Sequence, residues 1–401
     1  MQMKRVYFDN NATTPLAPEV FEAMRPYMLE DYGNASSIHW FGQRAKAGVE
    51  KAREQVARLL NARSSEVVFT SGGTESDNTA IIGIVEASRA EHKHVVTTAI
   101  EHPAVLSTAK LLERRGVSVS YVRVGRSGVV DPTDVASALR PETVLISLMH
   151  ANNELGTIQP VEAIGQLARE RDIYFHSDAV QSVGKIPVDV EKLGVDLLAL
   201  SAHKLNGPKG VGALYIRKGT ILRPLLHGGH HERDRRPGTE NVAGIVGLGA
   251  AADIARTHLS EEAARVAALR DRLESGILSS VPLVSGNGDR AHRVPGTANL
   301  TFEFTEGEGF VIAMDLRGIA CSTGSACSSG SLEPSHVLSA IGLKPEQARA
   351  SIRFSLGQFN TDEDVDTALR ILPAVVEQLR AVSPHYRKEA VSYQPSGISK
   401  S

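Results

Sequence analysis

IYFHSDAVQSVGKIPVDVEKLGVDLLALSAHKLNGPKG, residues 173–210, holds two apolar β-rich runs, IYFHSDA (173–179) and VDLLALSA (195–202). Each passes directly into a polar loop carrying chemistry-bearing side chains. Near-continuous apolar strands alternating with helices predict a mostly parallel sheet covered on both faces. Ligands of such sheets bind beyond the carboxyl ends of the strands. Outward from this stretch the pattern repeats, with strands at EVVFT (66–70), HVVTTAI (94–100), VSVSYVRV (117–124) and TVLISLMH (143–150). Helical periodicity appears in residues 19–29, 41–60, 104–116 and 160–172. After about residue 245 it changes to one or two Ala-rich helices (247–278), short strands in TANLTFEF and SIRFSLG, and a terminal helix over 363–382. This predicts a second, smaller α+β domain.

The bulk composition excludes several classes. Of 401 residues 42% are hydrophobic and 22% charged, as in an ordinary globular protein, and 44 Lys and Arg against 46 Asp and Glu leave a net charge of -2. A broad basic surface for nucleic acid is not expected. No run approaches the roughly 20 apolar residues of a membrane span. Two cysteines, Cys321 and Cys327, are too few for a disulfide framework, so a reducing cytoplasm is the expected compartment.

Five loops carry the chemistry. Lys204, after His203 and before a Gly-Pro turn, reads as a surface lysine or as a Schiff-base lysine. Asp178 ends a strand; it could cap a helix, ligate a metal, orient a base or pair with a protonated pyridine nitrogen. In FTSGGTESDNTA, Gly73 and Thr74 bridge a strand to a helix start and suit a single phosphate. The segment lacks both the GxGxxG and the GxxxxGK[ST] patterns, and Glu75 and Asp77 suit the first turn of a helix. His102, followed by Pro103, could cap a helix or stack on a cofactor ring. Cys327 lies among small polar residues, as expected of an exposed thiol, whereas Cys321 adjoins an apolar run and reads as buried. His227, His230 and His231 invite a metal, but Arg223, Arg233, Arg235 and Arg236 in or beside the same block favour an anion or dimer packing. Arg353 suits a carboxylate clamp or a buried ion pair.

Together, GGTESDN, EHPAV, NNELGTIQP, HSDAVQSVGK, SAHKLNGPKGVG, RRPGTENV and STGSACSSGSLEPSHVL make the chain closely resemble the pyridoxal-phosphate-dependent cysteine desulfurases, in the class-V aminotransferase group of the fold-type-I enzymes, over almost its full length. The last string resembles the nitrogen-fixation-associated branch with a long active-site loop. The resemblance implies pyridoxal 5'-phosphate as cofactor and a large domain over 16–260. A small domain over 1–15 plus 261–385 would include a mobile loop at about 321–332, and 386–401 would form a flexible tail. By the same carry-over Lys204 holds the cofactor, Asp178 its pyridine nitrogen and Gln181 its phenolic oxygen, while His102 stacks on the ring. Gly73, Thr74, Ser201 and His203 hold the phosphate, with Thr239 from a partner subunit. Asn153 and Arg353 bind the substrate carboxylate, and Cys327 accepts sulfur from L-cysteine, with transient iron–sulfur ligation by Cys327 as a further expectation. Implied partners are a second copy of the chain and an iron–sulfur scaffold or other sulfur acceptor, with possible use in nitrogenase maturation. A selenocysteine lyase, another aminotransferase-like enzyme and a non-catalytic cluster-assembly protein are the competing readings.

Overall fold

Alternate residues of the apolar strands face opposite ways, and two separate cores result. The computed structural model describes residues 5–323, 334–384 and 386. Its strands are β1 (Val6–Tyr7), β2 (Val67–Thr70), β3 (His94–Thr98), β4 (Ser118–Val122), β5 (Thr143–Ser147), β6 (Tyr174–Asp178), β7 (Leu197–Ser201), β8 (Gly212–Ile216), β9 (Val284–Gly286), β10 (Thr297–Phe302), β11 (Ile319–Ala320), β12 (Ser322–Thr323) and β13 (Ser351–Ser355). The first helices are α1 (Pro18–Leu29), α2 (Trp40–Leu60), α3 (Gly73–Ala87) and α4 (Pro103–Arg114).

Seven strands form one sheet in the order β2-β8-β7-β6-β5-β3-β4. On one face Val68, Val95, Leu145, Leu197 and Leu214 pack under α3 and α4. On the other, Phe69, Val96, Ile146, Phe175 and Leu198 meet α1, α2, helix Val161–Glu170 and the start of helix Val242–Ser280. Burial on both faces explains why these strands read as continuous apolar runs. The sheet is parallel except at β8, which runs antiparallel to both β7 and β2. β8 follows directly after the GPKG turn, and the sequence reading had no strand there. A short reversal after a tight turn brings it back beside β7, where antiparallel pairing needs no crossover helix.

The smaller unit is a four-stranded antiparallel sheet, β12-β13-β10-β9, with a core of its own that includes Leu300, Phe302, Phe310, Ile352 and Phe354. The one or two helices expected over 247–278 are a single 39-residue helix, Val242–Ser280, which contributes to both cores. Val6 and Phe8, from the start of the chain, complete the smaller core; β1 pairs parallel with β11, and Asp9 bridges to Ser355. The chain then returns to the large sheet, where Thr14 N–H donates to the His203 carbonyl at 2.9 Å. Residues 6–14 therefore tie the small sheet to the carboxyl end of β7. Among the described residues no helix is long and apolar enough to cross a membrane.

Candidate active site

All the parallel strands of the large sheet end on the same edge, and there a cavity of about 940 Å³ opens. It is lined by Asn11, Ala12, Gly73, Thr74, Asp77, His102, Asn153, Asp178, Gln181, Ser201, His203, Lys204 and Arg353, among others. Nine of these come from strand ends of the large sheet and the loops or turns that follow them, or from the 6–14 segment.

At the end of β2 the chain turns through Gly72, whose φ of 155° and ψ of -176° belong to a region essentially restricted to glycine. This turn starts α3 at Gly73, with no side chain capping its first N–H groups. An uncapped N-terminus of a 15-residue helix, beside Thr74, Ser201 and His203, suits a phosphate group. A Cβ on Gly73 would come within 2.6 Å of Val180 Cγ2, so Val180 occupies the space that an alanine there would need.

Lys204 follows β7 in a single tight turn, Ala202–Lys204, and is half-buried rather than a surface lysine. Its Nζ donates to the backbone carbonyls of Asn11 and Ala12, the latter at 2.7 Å. Asp178 ends β6 and accepts a hydrogen bond from Val180 N–H at 2.9 Å, capping a turn rather than a helix. Burial raises its pKa, opposed by nearby His102 and Lys204. A buried carboxylate destabilised in this way gains by pairing with a protonated ring nitrogen. His102 does cap α4, its Nδ1 accepting from Ala104 N–H at 3.1 Å, and it also lines the cavity. With Nδ1 occupied as an acceptor the neutral ring carries its proton on Nε2. Burial, ahead of all charges, lowers its pKa, so the ring is neutral at neutral pH. The amine, the acid, the flat ring and the helix N-terminus together fit pyridoxal phosphate.

Opposite lies Arg353, 1% exposed, on β13. Its Nη1 donates to the Asn153 carbonyl at 3.0 Å and its Nη2 to Asp9 Oδ1 at 2.8 Å, so the ion-pair reading of this residue holds alongside its place in the cavity wall. Its Nε is buried with no hydrogen-bond partner.

Cys327 lies outside the described residues, but both ends of its segment are anchored here. On one side Ser322 in β12 pairs with Arg353 itself. On the other, Ser335 Oγ donates to Glu154 Oε2 at 2.5 Å and His336 Nε2 bonds to the Glu101 carbonyl at 2.9 Å. Cys321 is buried in the smaller core, and burial pushes its thiol pKa far up.

Some expectations change. Asp77 is not a solvated helix-start carboxylate: it is 1% exposed, lines the cavity, and has its pKa raised by burial and then by Asp178. Glu75 instead accepts from Ser71 N–H and from Arg236. Thr239 is exposed and does not line the cavity. In the His- and Arg-rich block, Glu232 forms a two-pronged pair with Arg53 (2.7 Å each) and also accepts from Phe69 N–H. Among the described residues no group of three or more His, Cys, Asp or Glu could hold a metal ion. Asp9, Asn11 and Lys185, which touch or adjoin the cavity, had no site role in the sequence reading, and Asp77 was read only as a residue of the helix start. Their string DNNATTP was the available signal for the first two.

A model of the aminotransferase class-V family matches residues 6–368. The chain is 52% identical over 388 residues to cysteine desulfurase IscS of Dictyoglomus turgidum, covering 96% of this chain and 98% of that one. It is also 52% identical over 386 residues to cysteine desulfurase IscS of Methanosarcina thermophila, covering 96% and 95%. Among solved structures it superposes on a NifS-like protein with a TM-score of 0.87 at 41% identity, covering 94% of this chain and all of the other. The apo cysteine desulfurase of Thermococcus onnurineus gives 0.84 at 27% identity, covering 94% and 95%.

Proposed function

Because the chain belongs to the class-V aminotransferase family, and within it to the pyridoxal-phosphate-dependent cysteine desulfurases, we propose that this cavity converts L-cysteine to L-alanine and loads the sulfur on Cys327 as a persulfide. The observation that carries the assignment of residues is the convergence of Lys204, Asp178 and Arg353 on one cavity where both ends of the Cys327 segment are anchored.

When bound, pyridoxal phosphate supplies an electron sink for the charge left at Cα. The protein's part is positional and protic. Gly73, Thr74, Ser201 and His203 hold the phosphate, Lys204 holds the cofactor through its amine, and Gln181 donates to its phenolic oxygen. Asp178 keeps the ring nitrogen protonated, and neutral His102 stacks on the ring. Arg353 and Asn153, which both line the cavity, would hold the substrate carboxylate. The Lys204 amine, which reaches into the same cavity, would take the Cα proton. The Cys327 thiolate attacks the substrate sulfur; the S–S bond forms as the C–S bond breaks, and that electron pair stays with the carbon skeleton, which leaves as L-alanine after protonation. His102 would be the group that moves the thiol proton, and to take it the ring would have to accept at Nδ1 in place of the Ala104 N–H.

Several finer readings go with this one. Thr239, exposed and away from its own cavity, fits the site of a second subunit in a homodimer. The smaller unit's own hydrophobic core, distinct from those on the two faces of the large sheet, supports a division into 16–260 and 1–15 plus 261–385. An iron–sulfur scaffold is the acceptor, in a reducing cytoplasm that keeps the thiol competent. The string STGSACSSGSLEPSHVL supports a nitrogen-fixation-associated branch, which complementation of strains lacking either type of desulfurase would decide.

The test divides the roles. Lys204→Ala should abolish the cofactor's visible absorbance and lower turnover by at least about 100-fold. Cys327→Ala should keep the absorbance and lose protein-bound persulfide. The parent should release alanine and sulfide in equal amounts from excess L-cysteine. Normal persulfide on Cys327→Ala would remove the nucleophile assignment.

A further inference from the structure

Behind the cofactor cavity lies a second one of about 760 Å³, lined by Lys185 and Lys204 together with Asn10, Ala251, His258 and Glu262, among others. Lys185 stands between the two. Its Nζ donates to Gln181 Oε1 at 2.7 Å and to Asn11 Oδ1 at 3.2 Å. An ammonium group only donates, so both amide oxygens must face it. Gln181 then turns its Nε2 the other way, donating to the Asn11 carbonyl at 3.0 Å and leaving a second N–H for the cavity it lines. That same Asn11 carbonyl accepts from Lys204 Nζ. Asn11 Nδ2, on the side away from Lys185, donates to the Asn153 carbonyl (3.1 Å) and to Thr297 Oγ1 (2.8 Å). One ammonium thus orients two amides that adjoin the cofactor amine and the substrate-carboxylate loop.

We infer that Lys185 is a positioning residue: it fixes the Gln181 amide with its donor toward the cofactor's phenolic oxygen and keeps a positive charge behind that oxygen. The inference rests on the pyridoxal-phosphate reading above. Gln181 with its oxygen facing the phenolate would repel it, so the orientation matters for the cofactor's charge state. Burial first, then Lys204 and Arg353, push the Lys185 amine down to about 7, and from the long helix Glu262 and His258 share its cavity. A group poised there changes charge within the neutral range.

The experiment reads the cofactor's own absorbance. In protein loaded with pyridoxal phosphate, the pH midpoint of the visible band should rise in Lys185→Met by about half a pH unit or more, a roughly threefold gain in proton affinity, because removing a nearby cation favours the protonated chromophore. Lys185→Arg, which keeps the charge and the donors, should restore the parent midpoint. An unchanged midpoint in Lys185→Met, even with lower thermal stability, overturns the inference. So does an equal shift in both variants. Should either variant fail to fold, competitive acylation of Lys185 in the parent serves instead. Its reactivity midpoint should rise on cofactor loading, because Lys204 loses its ammonium charge; an unaltered midpoint overturns the inference. A parent protein that shows no Lys204-dependent absorbance removes the pyridoxal-phosphate reading, and this inference with it.

Discussion

Glu101, the residue before His102, has no exposed surface. Thr98 Oγ1 and Met149 N–H both donate to its Oε1, at 2.6 and 3.0 Å, while Oε2 is buried without a partner. Burial dominates and raises its pKa from 4.5 to about 8, although the two hydrogen bonds oppose the rise. The folded state therefore holds this proton over a range where the unfolded chain has released it. Stability contributed by the protonated carboxyl is lost as pH rises from about 4.5 toward about 8. Glu101→Gln removes the ionisation, so the fall in the apoprotein's thermal midpoint between about pH 6 and about pH 8 should shrink. Calorimetry at the two pH values checks this; equal falls in both proteins would sink the assignment. Residues such as Lys204, Asp178 and His102 were legible because each sits at a strand end, where chain direction alone aims the side chain at the site. Glu101, Asp77 and Lys185 were not. Their properties come from burial and from partners up to 174 residues away, as in the Lys185–Asn11 bond.

At the level of elements, the segment around residues 231–234 is the least regular part of the large unit, with Glu232, Arg233 and Asp234 all at positive φ. Left-handed backbone costs roughly 1–2 kcal/mol for each ordinary residue, so something must hold the segment. Glu232 supplies it, through its pair with Arg53 on α2 and its bond from Phe69 N–H on β2. Arg53 also lies over the Phe69 ring, 4.7 Å from its centroid. Both charged side chains are nearly buried, at 6% and 4% exposure. Glu232→Ala leaves the buried Arg53 guanidinium with only Glu50, 3.3 Å from its Nε, and the Val67 carbonyl, and should cost about 1–3 kcal/mol, read as a lower denaturation midpoint. Glu232→Gln, which keeps one acceptor, should cost less; equal losses would contradict the pairing account. In the sequence this block looked like an anion or metal site because its His and Arg are conspicuous. The acid that organises it pairs with an arginine 179 positions away, and no local spacing could reveal that. β8 went unread for a different reason: its apolar run GALYI is only five residues long and follows the GPKG turn almost directly.

For the whole molecule, fold class and the edge of the sheet carrying the site followed from alternation of apolar strands and helices, because double-sided burial writes itself into composition. The return of the first residues to the smaller unit was implied by the family resemblance, which put 1–15 with 261–385, but no local pattern of apolar residues showed it. A chain beginning at residue 10 lacks β1, the Phe8 side chain and the Asp9 partner of Arg353. It should keep pyridoxal phosphate, raise KM for L-cysteine about tenfold or more through loss of one charge-assisted bond, and show a separate, lower melting transition for the small unit. A single transition with unchanged KM would contradict this. The weave also has a cost in time. Asn10 bonds to the Ser355 carbonyl across 345 positions, and Ser355 N–H in turn donates to the Phe8 carbonyl. At about 5–20 residues per second of synthesis, those partners emerge roughly 17 to 70 s apart. Throughout that interval Val6 and Phe8 leave the ribosome with no core to enter, exposed to chaperones and to neighbouring nascent chains. Residues made some 345 positions earlier than their partner must wait for it before they can fold.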